Sequence, residues 1–220
     1  MKPTHSPLPS TAARAFTSLE LLVVLASMLI VAALILPAFV PRRCNCVRAN
    51  CVNNLKQVGL AFRIWSEDNN NKFPMDPSID LGSNKELING TNTFAYFQLM
   101  SNELSTPKII VCPEDKKRHA ATNFDTDLDN SKLSYFAGLD ASTNSPAMLL
   151  SGDRHLAVGK SARSGILNLT TKQEVGWTRA NHKGLGNVVL VDGSVQQFTT
   201  AQLRKALAST GVTTNRLTFP

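Results

Sequence analysis

From Leu21 to Val40 the chain runs twenty positions without a charged residue. At ~1.5 Å of rise per residue such a helix reaches ~30 Å, the thickness of a bilayer hydrocarbon core. The run predicts a membrane helix over residues 16–40. The pattern then changes period. Val47, Cys51, Leu55, Val58, Phe62 and Trp65 recur at spacings of four, four, three, four and three. That is one apolar stripe on an α-helix, with Arg48, Lys56 and Arg63 off the stripe. The polar run 66–71 ends it. One long helix from about 17 to 66 is therefore expected, bent near Pro37 and Pro41.

Beyond Phe73 the pattern is one of short strands. Runs 109–112, 133–139 and 147–150 are candidates, and 187–191 with 194–198 is the clearest. Asp192-Gly193 between the last two reads as a two-residue hairpin turn with both central residues at positive φ. A helix over 201–208 is expected, with Thr200 as cap and Gly211 as stop. Residues 76–92, rich in Asn, Ser and Gly, read as a loop. The predicted organisation is a leader (1–15), a membrane helix (16–40), a second helical half (41–72) and an α+β domain (73–220).

Composition changes this picture little. A chain of 220 residues, less leader and membrane helix, leaves about one ordinary domain. The formal net charge of +7 is spread along the chain, so it argues weakly for nucleic acid and fits anionic lipid or an acidic partner equally. A secretory signal peptide has a shorter apolar core followed by a small-residue cleavage site. Here the triplet Ala13-Arg14-Ala15 precedes the run, so cleavage there leaves the helix on the mature chain. Flanking charge argues about orientation: Lys2 and Arg14 on one side, Arg42, Arg43, Arg48 and Lys56 on the other. Counted alone, those flanks favour a cytoplasmic C-terminal domain.

The segment Ala15-Phe16-Thr17-Ser18-Leu19-Glu20, ahead of that apolar run, resembles the N-terminus of type IV prepilins and type II secretion pseudopilins. Phe16 takes the first mature position, Glu20 the fifth and Pro37 the twenty-second, where pilin helices often carry a loosening proline. The leader ends in Ala15 where the family usually has Gly. Further on, His182 is followed by nine residues and then Asp192-Gly193. With Cys51-Val52-Asn53-Asn54-Leu55-Lys56-Gln57 this resembles the pilin-like proteins of planctomycete and verrucomicrobial bacteria with a His-x9-Asp-Gly C-terminal motif. The resemblance implies a pilin-like α+β fold, with the long helix packed on a small antiparallel sheet. It implies cleavage between Ala15 and Phe16 by a prepilin peptidase and N-methylation of Phe16. It implies a single-pass inner-membrane protein with a periplasmic domain, opposite to the charge count. The implied role is structural, not enzymatic: assembly with other pilin-like subunits into a pseudopilus or pilus-like filament, with Glu20 pairing to a neighbour's N-terminal amine and no nucleic-acid partner. Two rival functions stand beside it, a signal-anchored binding protein that never polymerises and an anchored hydrolase.

Four cysteines, Cys44, Cys46, Cys51 and Cys112, fit an exported domain. A Cys51–Cys112 disulfide from helix to strand competes with unpaired core thiols and with a metal site. The Cys44-Asn45-Cys46 spacing suits zinc poorly. His182 and Asp192, with Asp153 and His155, read either as catalytic partners or as structure: Asp192 in a turn, His182 bonded to the preceding loop. No nucleophile elbow or paired zinc motif accompanies them. Asp125, Asp127 and Asp129 place oxygens at alternate positions as calcium loops do. The sixth and twelfth places hold Asn130 and Phe136 instead of Gly and Glu, so a solvated loop is the expectation and calcium the alternative. No other cofactor is indicated. The cluster Lys116-Lys117-Arg118-His119 lacks the interleaved aromatics of a nucleic-acid platform.

Overall fold

A computed structural model of the chain describes residues 17–35, 43–79, 91–159, 161–162 and 165–220. Ala15, Phe16, Pro37 and the joint around Pro41 lie outside the described residues. The chain divides into two compact units, 1–43 and 44–220.

The first unit carries α1, Ser18–Ile35, eighteen residues of which none is buried. This helix is long and apolar enough to cross a membrane. Its start is closed by reciprocal bonds. Glu20 Oε2 accepts from the Thr17 backbone N–H at 2.9 Å and from its hydroxyl at 3.0 Å, and Glu20 N–H donates to Thr17 Oγ1 at 3.3 Å. Thr17-Ser18-Leu19-Glu20 is thus a capping box, which satisfies amides that have no partner inside the helix.

The second unit is α+β. Helix α2 (Arg43–Asp68) buries the expected stripe from Cys51 onward, with Cys51, Leu55, Val58 and Phe62 fully enclosed and Trp65 nearly so, while Val47 at its start is half-buried. It ends where Asn70 and Asn71 adopt positive φ and the Asn71 N–H returns to Ser66 O at 2.8 Å. Asn tolerates that left-handed conformation because its short side chain bonds locally. Two short helices follow, α3 (Thr93–Leu99) and α4 (Ser101–Leu104).

Nine strands make two antiparallel sheets among the described residues. They are β1 (Tyr135–Gly138), β2 (Leu149–Asp153), β3 (Leu156–Val158), β4 (Ser161–Ala162), β5 (Gly165–Thr170), β6 (Val175–Trp177), β7 (Gly186–Leu190), β8 (Val195–Phe198) and β9 (Thr214–Phe219). The larger sheet has the order β5-β9-β1-β2-β7-β8 and the smaller β4-β3-β6. Side chains alternate across the larger sheet. Tyr135, Ala137, Leu150 and Val189 join α2 in one core. Phe136, Leu149, Val188, Leu217 and Phe219 join Leu156 and Trp177 of the small sheet in a second. Leu203 and Leu207 of α5 (Thr200–Ser209) complete that second core. Both faces of the central strands are therefore covered, and their sequences read as apolar runs more than as alternation.

Close approach explains two glycines. A Cβ on Gly59 would lie 2.6 Å from a Val189 methyl, so α2 seats directly on β7 there. A Cβ on Gly138 would lie 2.0 Å from the Leu149 carbonyl oxygen. Gly138→Ala is expected to cost about 1–3 kcal/mol or more, because a backbone carbonyl cannot yield. Gly59→Ala is expected to cost less, since better helix propensity returns up to ~1 kcal/mol. Thermal unfolding of the two variants checks the order.

Three sequence expectations are corrected. Residues 109–112 are not a strand: Pro107–Ile110 forms a turn of 3-10 helix, with Thr106 Oγ1 accepting from Lys108 N–H. Pro107 fixes φ for a helical first turn and lacks the amide a ladder needs. The β7–β8 turn is not a two-residue turn. Leu190 N–H donates to Ser194 O and Gly193 N–H to Leu190 O, both at 2.9 Å. Only Gly193 takes positive φ, at 85°, which fits the three-residue loop with a left-handed Gly. The cap of α5 is Thr199, which forms a capping box with Gln202, and not Thr200.

Candidate functional site

Three segments distant in sequence meet beside α2. The first is Cys112-Pro113-Glu114-Asp115, a turn in which Asp115 N–H returns to Cys112 O at 2.9 Å. The second is the end of β2, Asp153-Arg154-His155. The third is the 3-10 turn His182–Gly184, where His182 and Lys183 hold φ of 49° and 56°. Neither is glycine, so this backbone is strained at ~1–3 kcal/mol per residue and persists because the enclosed His182 is held.

His182 is fully enclosed. Its Nδ1 lies 2.6 Å from Glu114 Oε2, out of hydrogen-bond alignment, and its backbone N–H donates to Glu114 Oε1 at 3.3 Å. Its Nε2 lies 3.4 Å from Asp153 Oδ2 and 3.3 Å from Cys112 Sγ. Asp153 Oδ2 in turn accepts from Asn187 N–H at 2.7 Å and Asn187 Nδ2 at 2.9 Å. Cys112 is bonded to Cys51 of α2, with Cα atoms 5.0 Å apart. One side chain therefore ties the 112–115 turn to the end of β2, and the disulfide ties that turn to α2. His182 bonds across the fold and not to its preceding loop.

A second network lies beside it on Asp115. Arg154 grips that carboxylate through two bonds, Nε to Oδ2 at 2.7 Å and Nη2 to Oδ1 at 3.1 Å. His155 Nε2 approaches Oδ2 at 3.2 Å, and the Ser134 hydroxyl donates to it at the same distance. Burial pushes the Asp115 carboxyl up, but His155 and Arg154 together outweigh it and hold it well below the usual range. Asp153 goes the other way: burial raises it, and His182 and Asn187 only partly compensate.

These opposite shifts give opposite pH signatures. A carboxyl depressed in the fold stabilises above ~3.9 and loses that contribution as pH falls through its folded value. A raised one contributes below ~3.9 and loses it as pH rises through its folded value. Asp115→Asn is thus expected to be less stable at neutral pH and to show a flatter acid limb. Melting temperatures taken between about pH 2 and 7 check this.

The residues singled out in the sequence fall in different places. Cys51, Cys112, His182, Asp153 and His155 converge. Asp192 does not: β7 separates it from His182, and its Oδ1 accepts from Ser194 N–H at 2.8 Å within the hairpin turn. Asp192 is thus bonded within its own turn, and Gly193 supplies that turn's positive φ. Among the described residues, the polar atoms paired with the His182 ring belong to Cys112, Glu114 and Asp153. The Asp125–Asp129 loop is held by its own bonds. Asp127 accepts from Thr122 N–H at 2.7 Å and pairs with Lys132, and Asp129 Oδ1 accepts from Ser131 N–H at 2.6 Å. Those bonds hold Asp127 down to about 2, with Lys132 the largest cause. Glu114, Asp115 and Asn187 were not singled out. Their signals were the polar pair directly after Cys112-Pro113 and an Asn opening an otherwise apolar strand. No protein-family model, no curated protein and no solved structure matches this chain significantly.

Proposed function

We propose that the chain is a pilin-like subunit. It is held in the inner membrane by α1 with its α+β domain in the periplasm, and assembles through α1 into a type II secretion pseudopilus or a type IV pilus-like filament. The observation that carries the reading is α1 itself. It has eighteen residues, one carboxylate in the first turn and no buried side chain, in the phase that prepilins use after their cleavage site. A helix so apolar needs lipid or other helices around it. The enclosed Cys51–Cys112 disulfide supports the periplasmic side, because such bonds persist in oxidising compartments. A role for the Ala15–Phe16 bond in processing by a prepilin peptidase rests on the resemblance alone.

One observation favours the non-polymerising anchored protein: Glu20 is already satisfied by Thr17. In a filament it would have to exchange that cap for a neighbour's amine. Glu20→Leu separates the readings. Removing one partner of a pair buried in lipid costs about 3–5 kcal/mol, so crosslinked oligomers are expected to fall ~100-fold or more. The melting temperature of the 44–220 unit should not change. Equal crosslinking in both proteins speaks for the monomeric anchor.

A further inference from the structure

The sulfur pair and the histidine form a constellation that the disulfide alone does not account for. Cys51, Cys112 and His182 present ligand atoms all within 4.8 Å of one another, and all three are buried. Asp153 Oδ2 stands 3.4 Å from His182 Nε2, and Cys112 Sγ stands 3.3 Å from the same atom. A tetrahedral zinc ion, with Zn–S of ~2.3 Å and Zn–N or Zn–O of ~2.0–2.2 Å, sets its ligand atoms roughly 3.3–3.8 Å apart. The histidine is also turned the right way. Glu114 faces Nδ1 at 2.6 Å, which leaves Nε2 pointing at the sulfur and at Asp153. A zinc-bound histidine donates its far N–H to such a carboxylate, and Glu114 is near enough to accept that bond after a small rotation, although the contact is out of alignment here. Asn187 fixes Asp153 in the same manner through two bonds.

We propose that in its dithiol form this chain binds one thiophilic divalent cation, zinc, through Cys51, Cys112, His182 and Asp153, so that the same residues serve as a metal site before oxidation and as a disulfide after it. The chain is synthesised as the dithiol, so that state needs no reductant. Zinc displaces the two thiol protons, which leave to solvent, and the two thiolates close the site with one neutral imidazole and one carboxylate. Ligands so enclosed make a structural site with no open position for substrate.

The test uses the full chain in detergent, carrying Cys44→Ser and Cys46→Ser so that no other thiol binds metal. A phosphine reductant splits the Cys51–Cys112 bond. The phosphine takes an oxygen from water to become phosphine oxide, and the two sulfurs take the protons. The protein is then dialysed against buffer containing zinc chloride or EDTA, with oxidised protein alongside. Reduced protein is expected to retain one zinc per chain, to melt higher in zinc than in EDTA, and to resist alkylation of Cys51 and Cys112. Oxidised protein should retain none. Glu114→Gln, which changes no ligand, should weaken zinc about 10–100-fold, and His182→Ala should abolish retention. If reduction loosens the fold, zinc should restore the native near-ultraviolet circular dichroism. The proposal is overturned if reduced protein holds no more zinc than oxidised protein, or if melting and alkylation are the same in zinc and EDTA.

Discussion

Replacing Cys51 and Cys112 together by alanine is expected to lower the melting temperature of the 44–220 unit by about 8–16 °C. The bond joins residues 61 apart in sequence, α2 to the turn that begins at Cys112. Closing a loop of that length restrains the unfolded chain by about 4 kcal/mol. For a unit of this size each kcal/mol moves the midpoint by about 2–4 °C. Two further effects act in the same direction. Both sulfurs are enclosed, so alanine leaves small voids in the core formed by α2 and the sheet. The 112–115 turn also carries Glu114 and Asp115 to their histidine and arginine partners, and its loosening weakens both networks. Calorimetry of the variant beside wild type measures the shift. A change under about 2 °C would mean that the turn is held by its charges and not by the sulfur bond.

Leu25→Arg combined with Leu29→Arg is expected to move the protein from the membrane fraction to the soluble one. Both side chains are exposed in α1. A cation at the centre of a spanning helix costs about 2.5–3.5 kcal/mol on insertion scales, so two cost about 5–7 kcal/mol. That is a factor of ~10⁴–10⁵ in partition. Leu19→Arg is the control. Near the helix end its long side chain reaches the interface, and fractionation should barely change. Carbonate extraction followed by immunoblotting reads both variants beside the wild type. A double-arginine protein that stays in the pellet would mean that the 44–220 unit, and not α1, holds the chain at the membrane.

Helices α1 and α2 were legible because their periods are long, whereas the short α3 and α4 were not foreseen. Twenty positions without a charge and a five-step stripe leave little choice of structure, and α2 ends inside the polar run that marked it. Strands β3 to β6 and β9 were not legible. They are short, and β5 alternates buried and exposed positions over only six residues. β9 lies at the end of the chain yet pairs with both β5 and β1, a long-range arrangement that no local pattern encodes. The site divides in the same way. The Cys51–Cys112 pair could be proposed from one stripe and one apolar run. His182 could be grouped with Asp153, 29 positions away, but not with Glu114, which lies 68 positions away in an unrelated segment. The Glu20 cap has a local signal too, the Thr17-Ser18-Leu19-Glu20 spacing of a capping box.

Intact mass and N-terminal sequencing of the native, membrane-extracted protein test the central claim most directly. A chain that begins at Phe16, with or without one added methyl group, and still contains α1 is the result the pilin-like reading predicts. A chain that begins at Met1, or one cut beyond Val40 so that α1 is lost, would contradict it.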